Sequence, residues 1–203
     1  MLTGLILAGG PQRRMKEACK PLLEFGGECL LQRQVREMRS ICSEVIVAAE
    51  DPRPLLRIVD RDVRIITDYY PGKGPLGGMH AGLSLARNRA VWVVGCGMPF
   101  LSARAALLLL GLQQGRFDAA VPVICGIPSP LHGIYDKDCA EEALALIERG
   151  ERQMIGLLKE LAWVEAYDYM FEGKGIDTLF VQNIRTWEQY QDLLKRAGLQ
   201  LMK

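Results

Sequence analysis

Short apolar runs alternate with segments of helical periodicity through the first half of the chain, and this alternation constrains the fold most strongly. The runs that match buried strands are Leu2–Leu7 and residues 44–49, 63–67 and 90–94. Residues 29–41 and 76–89 place apolar side chains at helical spacing. We interpret the order as β-α-β-α-β-α-β, which is typical of a parallel sheet with right-handed crossover connections.

The second half of the chain continues this pattern. Helices are predicted at residues 103–112, 139–149, 155–161 and 187–197, the last of them packed against the sheet. Strands are predicted at residues 118–123 and 179–181, and residues 129–135 are expected to return antiparallel to the first of these. No repeat or linker interrupts the sequence, so residues 1–203 are predicted to form a single α/β domain with a mostly parallel central sheet flanked by helices.

The charge balance argues against a nucleic-acid-binding protein. Lysine and arginine total 25 against 24 acidic residues, which gives a net charge of +1. Nucleic-acid binders usually carry a broad basic excess. An anionic ligand would therefore be held by local charge rather than by the field of the whole protein.

The cysteines and the first residues predict a cytoplasmic protein. The 6 cysteines include no C-x-x-C pair, so metal-cluster spacing is absent and reduced thiols are the simplest interpretation. The opening apolar run has no basic segment before it and is too short to cross a bilayer. We therefore expect neither a signal peptide nor a membrane segment.

The first candidate site segment follows the first strand, at the edge where open α/β sheets bind ligands. Gly9 and Gly10 allow backbone N–H groups to turn towards a phosphate. The basic residues that follow are Arg13, Arg14, Lys16 and Lys20. The planar guanidinium group of arginine can donate two hydrogen bonds to phosphate oxygens, and the ammonium group of lysine supplies a compact positive charge. The segment lacks the G-x-x-x-x-G-K-[ST] pattern of a Walker A loop, and a solvated basic loop is the alternative interpretation.

The second candidate segment spans residues 68–78. Asp68 ends the third strand, and a turn rich in proline and glycine then leads into a helix. Such a turn lets a flat base lie against the backbone, with Asp68 accepting a hydrogen bond from the base or the ribose. The alternative is that proline and glycine only set the turn at the start of a helix, although the turn holds more glycine than a helix start requires.

The third candidate segment, residues 95–100, follows the most apolar strand. A carboxylate in this position could hold Mg²⁺ between phosphate groups. The segment contains none, and Asp118 is the next acidic residue along the chain.

Five short sequence patterns occur in order along the chain. The pattern L-A-G-G-x-[SA]-x-R-M-G-G-x-D-K is matched at Leu7, Ala8, Gly9, Gly10, Arg14, Met15 and Lys20. The pattern D-x-x-P-G-x-G-P-L-A-G is matched at Asp68, Pro71, Gly72, Gly74, Pro75, Leu76 and Gly78. The pattern C-D-M-P-[FY]-[IL] is matched at Cys96, Met98, Pro99, Phe100 and Leu101. A late P-L-x-[AG]-[LI]-Y is matched at residues 130–135, and N-[VI]-N-T-P-E at Asn183, Ile184, Thr186 and Glu188.

Together these patterns resemble the molybdenum-cofactor guanylyltransferases, the MobA family, over nearly the whole chain. The resemblance implies a Rossmann-like nucleotidyltransferase domain that transfers GMP from GTP to molybdopterin, releases pyrophosphate and uses Mg²⁺. It also implies that GTP and molybdopterin are the ligands and that other proteins of the molybdenum-cofactor pathway are partners.

The resemblance also assigns roles to individual residues. Nucleotide binding falls to Leu7, Ala8, Gly9, Gly10, Lys20, Asp68, Gly74, Pro75, Leu76 and Gly77. Arg14 and Lys20 would act in catalysis, and Asn183 and Arg185 would bind the acceptor. Gly97 stands where the family has its metal-binding aspartate.

The departure at Gly97 leaves alternatives open. One is a weak or inactive relative that binds nucleotide or pterin as a carrier or regulator. Another is a nucleotidyltransferase with a different acceptor, such as a sugar phosphate or an alditol phosphate, which would share the glycine-rich opening but explain residues 68–78 less well.

Overall fold

The strands of the protein form one sheet in a computed structural model that describes residues 1–9, 19–70 and 72–199. The strands are β1 (Leu2–Leu7), β2 (Glu44–Ala48), β3 (Arg64–Ile66), β4 (Ala90–Gly95), β5 (Ala119–Ile124), β6 (Ile127–Pro128), β7 (Gly133–Asp136) and β8 (Trp163–Tyr167). They pair in the order β3-β2-β1-β4-β7-β5-β6, with β8 also on β5. β3, β2, β1 and β4 run parallel, and β7 lies antiparallel between β4 and β5. The mostly parallel sheet and the antiparallel return are confirmed.

Helices cover both faces of the sheet. They are α1 (Leu30–Arg39), α2 (Pro75–Leu85), α3 (Ala103–Gln113), α4 (Ala140–Glu148), α5 (Met154–Glu160), α6 (Asp168–Glu172) and α7 (Trp187–Arg196). α1, α3 and α6 contribute to the apolar cluster on one face, and α2, α4 and α5 to the cluster on the other. This two-sided cover explains why β1 and β4 are apolar on both faces. Across the described residues, no helix combines the length and apolar character needed to cross a bilayer.

Two predicted elements are wrong. The connection between β2 and β3 forms turns instead of a helix, because Pro52 and Pro54 supply no backbone N–H to a helical ladder. Residues 179–181, predicted as a strand, belong to the short 3₁₀ helix Thr178–Val181, whose start is capped by Asp177 Oδ1 accepting from Leu179 N at 2.8 Å. β8 and α6 are elements that sequence reasoning missed.

Helix α7 has the predicted location in the chain but a different packing partner. It joins a separate apolar cluster with Leu23, Phe25 and Leu30, rather than covering the sheet. The hydroxyl of Tyr190 donates to Glu24 O at 2.5 Å, which ties α7 to the segment before α1. Ile184, which precedes α7, is fully buried in the same cluster. The chain just before α7 is therefore firmly anchored.

Candidate active site

The carboxyl ends of the parallel strands meet at one edge of the sheet. Ala8 N donates to Ala48 O at 2.8 Å, and Cys96 N donates to Leu7 O at 3.0 Å. These bonds extend the pairing just past the strand ends, so the segments after β1, β2 and β4 leave the sheet side by side. Gly9 is exposed, and open space surrounds its Cβ position. Gly10 and Arg14, which were predicted to bind nucleotide and to act in catalysis, lie outside the described residues.

Lys20 lies near the end of β4. It is half-buried and begins the short 3₁₀ helix Lys20–Leu22. Its ammonium group is close enough to act on the buried thiol of Cys96: burial raises the pKa of Cys96 to about 11, and the Lys20 charge works in the opposite direction. A cation is therefore present beside the strand ends, where a phosphate chain would need it.

Asp68 lies over the first turn of α2. A Cβ atom built on Gly77 would lie 3.1 Å from Asp68 Oδ2, and one built on Gly78 would lie 3.2 Å from Asp68 Oδ1. Glycine at both positions thus lets the carboxylate approach the helix backbone closely.

The turn before α2 depends on glycine and proline in distinct ways. Gly74 is the N-cap residue and has a φ of +65°. Residues that carry a side chain rarely adopt this backbone conformation. Pro75 occupies the first helical position, where its missing N–H costs nothing. Leu76 is fully buried and anchors the turn in the core. The predicted residues Gly74, Pro75, Leu76 and Gly77 therefore form the entrance of α2 beside Asp68.

The Asp68 carboxyl group is held in an environment that disfavours its charge. Burial raises its pKa above the ordinary value, and the nearby negative charge of Glu50 raises it further. Within the described residues, no cation or hydrogen-bond donor counteracts these effects. The described residues thus leave the carboxylate without a hydrogen-bond donor.

Replacing Asp68 with asparagine should stabilise the protein at neutral pH while weakening nucleotide binding. The folded-state pKa is raised, so the contribution of Asp68 to the free energy of unfolding is greatest in acid, begins to fall as the pH passes the unfolded-state pKa and is lowest above the folded-state pKa. Urea unfolding should therefore give a larger advantage for Asp68→Asn near about pH 7 than near about pH 3. GTP affinity should fall about tenfold or more, because a charged hydrogen-bond acceptor is lost.

Glu172→Gln is the matched control, because Glu172 is an exposed acid at the end of α6. It should change neither the GTP affinity nor the pH dependence of unfolding. Equal stability of Asp68→Asn and the unaltered protein at both pH values would contradict the assigned environment of Asp68.

Gln34 of α1 holds the turn that follows β4. Its buried side-chain Nε2 donates to Gly95 O and Met98 O, both at 2.9 Å. Arg33 Nε adds a bond to Pro99 O at 2.7 Å. Sequence reasoning missed this role, although there was a signal: Gln34 is a polar residue on the face of α1 that otherwise buries apolar side chains.

We expect Gln34→Leu to lower the free energy of unfolding by about 2 kcal/mol, because the buried Met98 carbonyl loses the Gln34 donor and the Gly95 carbonyl keeps only its bond from Met98 N. Chemical denaturation measures this directly. Gln191→Leu, on the exposed face of α7, is the control and should stay within about 0.5 kcal/mol of the unaltered protein. A loss no larger than the control's would mean that Gln34 does not support the turn.

The residues predicted at the acceptor and metal positions lie at the same strand end. Gly97 is buried, and its carbonyl accepts a hydrogen bond from Ile184 N at 2.7 Å. Asn183 is half-buried against Gly95 and Gly97. Arg185 is exposed, and its backbone N donates to Gln189 Oε1 at 2.8 Å. The structure thus brings Asn183 to the end of β4 and leaves the side chain of Arg185 at the surface.

The residues at this strand end do not fit a metal held by protein carboxylates. Gly97 offers no side chain. In the part of the chain that the structure describes, no three histidine, cysteine, aspartate or glutamate side chains are grouped so that they could hold a metal ion. Mg²⁺ therefore remains an expectation from the family resemblance.

The sheet order, the exposed Gly9 after β1, Lys20 and the Asp68 turn define a nucleotidyltransferase of Rossmann-like fold. Solved structures with the same fold include molybdopterin-guanine dinucleotide biosynthesis protein A from Archaeoglobus fulgidus, with a TM-score of 0.81, 21% identity and coverage of 97% of this chain and 98% of that one. They also include 2-C-methyl-D-erythritol 4-phosphate cytidylyltransferase from Thermus thermophilus, with a TM-score of 0.68, 18% identity and coverage of 98% and 100%.

The chain belongs to the MobA-like NTP transferase family, whose domain model matches residues 4–163. One relative is a probable molybdenum cofactor guanylyltransferase from Pelotomaculum thermopropionicum, which is 36% identical over 68% of this chain and 64% of its own length. A protein of the same description from Methanosarcina mazei is 30% identical over 96% of this chain and 91% of its own length.

Proposed function

We propose that the protein transfers GMP from GTP to molybdopterin, giving the guanine dinucleotide form of the molybdenum cofactor and pyrophosphate. Membership of the MobA-like family and the descriptions of its relatives support this assignment. The observation that carries it is the grouping of the exposed Gly9, a lysine and an acid-bearing helix entrance at the carboxyl edge of the parallel strands. Ligands of open α/β sheets bind at this edge.

The nucleotide would lie across the ends of β1 and β4. Backbone groups of Leu7, Ala8, Gly9 and Gly10 would contact the nucleoside and its first phosphate. The entrance of α2, from Gly74 to Gly77, would lie against the base. Asp68 would accept hydrogen bonds from the N–H groups on the edge of guanine or from the ribose hydroxyls, since the described residues leave its carboxylate without a donor.

The reaction is a displacement at the α-phosphorus of GTP. A terminal phosphate oxygen of molybdopterin forms the new P–O bond, and the bond from the α-phosphorus to the bridging oxygen breaks, so that pyrophosphate leaves with the electron pair. Positioning and charge neutralisation supply most of the catalysis in such transfers. Lys20 and Arg14 would neutralise the leaving pyrophosphate, while Asn183 and Arg185 would orient the acceptor.

The same proposal makes GTP and molybdopterin the small-molecule partners. Proteins that insert molybdate or receive the finished cofactor would be the protein partners. Nothing in the net charge of +1 favours nucleic acid as a ligand.

The direct test follows pyrophosphate release from GTP with and without molybdopterin, in the presence of magnesium. We expect release that requires molybdopterin and is at least about tenfold faster with GTP than with CTP, since a base that offers different donors would leave Asp68 unpaired. Binding of GTP without molybdopterin-dependent release would contradict the proposed reaction and favour a carrier role. Failure to bind GTP would contradict the nucleotide assignment as well.

A further inference from the structure

The chain segment before α7 lies directly on the turn after β4. Ile184 N donates to Gly97 O at 2.7 Å. A Cβ atom built on Gly97 would lie 2.7 Å from Ile184 O, and still closer to Asn183 Oδ1. Real Cβ atoms essentially never approach other heavy atoms within 3.0 Å. Position 97 therefore has no room for a side chain in this structure.

The conflict at position 97 is not one that a side-chain rotation would relieve. Ile184 O belongs to the backbone, and Ile184 itself is fully buried in the cluster that anchors α7. Moving the Ile184 backbone away would break its bond to Gly97 O and disturb that cluster. Gly97 is thus a requirement of how this segment closes over β4.

The Asn183 carboxamide occupies the space that a side chain at position 97 would need. Its Oδ1 lies against Gly97, and its Nδ2 would be 3.5 Å from a Cβ atom built on Gly95. The absence of side chains at both glycines lets the amide lie across the turn. The Asn183 side chain is half-buried, and the hydrogen bonds between described residues include none from it, so no described residue occupies its polar atoms.

We infer that the carboxamide of Asn183, and not a side chain at position 97, is the polar group that the end of β4 presents to the ligand, so that a neutral amide lies where the family resemblance leads one to expect an acid. The nature of the ligand, a phosphate group with or without a divalent cation, rests on the proposed function. A structural consequence of this arrangement does not rest on the proposed function: an acid is tolerated at position 183 and excluded from position 97.

Nucleotide-free protein and Mn²⁺, titrated by electron paramagnetic resonance, test this inference. Asn183→Asp keeps the shape of the side chain and adds a charge, so it should fold with an unchanged unfolding midpoint and bind Mn²⁺ about tenfold more tightly than the unaltered protein. Gln182→Glu adds the same charge at the exposed neighbouring position and should leave Mn²⁺ binding unchanged.

Substitutions at position 97 test the steric part of the inference. Gly97→Asp and Gly97→Ala should both lower the unfolding midpoint, because each adds a Cβ atom that meets Ile184 O. Gly97→Asp should gain no more Mn²⁺ affinity than Gln182→Glu. If Gly97→Asp fails to fold, the steric argument is supported, and the Asn183→Asp titration still decides the rest.

Two results would overturn the inference. One is a Gly97→Asp protein that keeps the unaltered unfolding midpoint and binds Mn²⁺ more tightly than Asn183→Asp. The other is Mn²⁺ binding by Asn183→Asp that equals that of Gln182→Glu. Because these measurements use no nucleotide, they are separable from the proposed function, whose failure would instead appear as the absence of GTP binding by the unaltered chain.

Discussion

Replacing Lys20 with methionine should lower kcat for GMP transfer by about a thousandfold, which corresponds to about 4 kcal/mol of transition-state stabilisation. Lys20 lies among the described residues, and its positive charge acts at the end of β4. There it opposes the effect of burial on the pKa of Cys96. The negative charge on the leaving pyrophosphate grows as the P–O bond breaks. A lysine that meets this charge stabilises the transition state more than bound GTP, so kcat should fall more than GTP affinity does.

Steady-state pyrophosphate release and a GTP titration would separate these two effects. Lys20→Arg keeps the charge but changes its shape and reach, and it should recover part of the activity. Lys195→Met removes an exposed lysine from α7 and should leave kcat within about twofold of the unaltered value. If Lys20→Met lowers only the affinity for GTP and leaves kcat intact, Lys20 binds the ground state and does not act in the transfer step.

The parallel half of the fold is predictable because its sequence signals are local. β1, β2 and β4 are almost entirely apolar, and glycine or an acid follows them where the chain leaves the sheet. β8 gives no such signal, because Ala166 is its single fully buried residue. Its strand conformation comes from parallel pairing with β5, a contact that no periodicity in the β8 sequence encodes.

The candidate site likewise has one part that the sequence predicts and another that only the structure reveals. The segments predicted to face the nucleotide each follow one strand, so the rule that ligands bind at carboxyl ends was enough to group them. The bonds from Gln34 to the β4 turn join residues that are 61 and 64 positions apart. The closure of Asn183 and Ile184 over Gly97 likewise depends on the docking of a distant segment. The sequence identified the change at Gly97, whereas its cause required the structure.

The position of Asp68 and of the entrance of α2 depends on how closely α2 packs on β1. Gly78 and Gly82 lie one helical turn apart and face the sheet. A Cβ atom built on Gly78 would lie 3.3 Å from Leu7 Cδ2. One built on Gly82 would lie 2.9 Å from Leu5 Cγ and closer still to both Leu5 methyl groups. A side chain at position 82 would push the helix, and with it the turn predicted to face the nucleotide, away from the strand ends.

Gly82→Ala should therefore destabilise the protein by about 2 kcal/mol, a fall in Tm of about 4–8 °C, even though alanine is the better helix former. Leu5 cannot move aside cheaply, since it is fully buried and lies between Ile46 of β2 and Val93 of β4. Thermal and urea unfolding would measure the loss.

Gly111→Ala provides the matched control, because Gly111 is an exposed helical glycine in α3 with open space around its Cβ position. That change should stabilise the protein by about 0.5–1 kcal/mol, so the two glycine-to-alanine substitutions are expected to have opposite signs. Adding Leu5→Ala to Gly82→Ala removes the atoms that collide. The double variant should lose less stability than the sum of the two single changes. Strict additivity would mean that Gly82 is not in contact with Leu5 and that α2 packs less closely on β1.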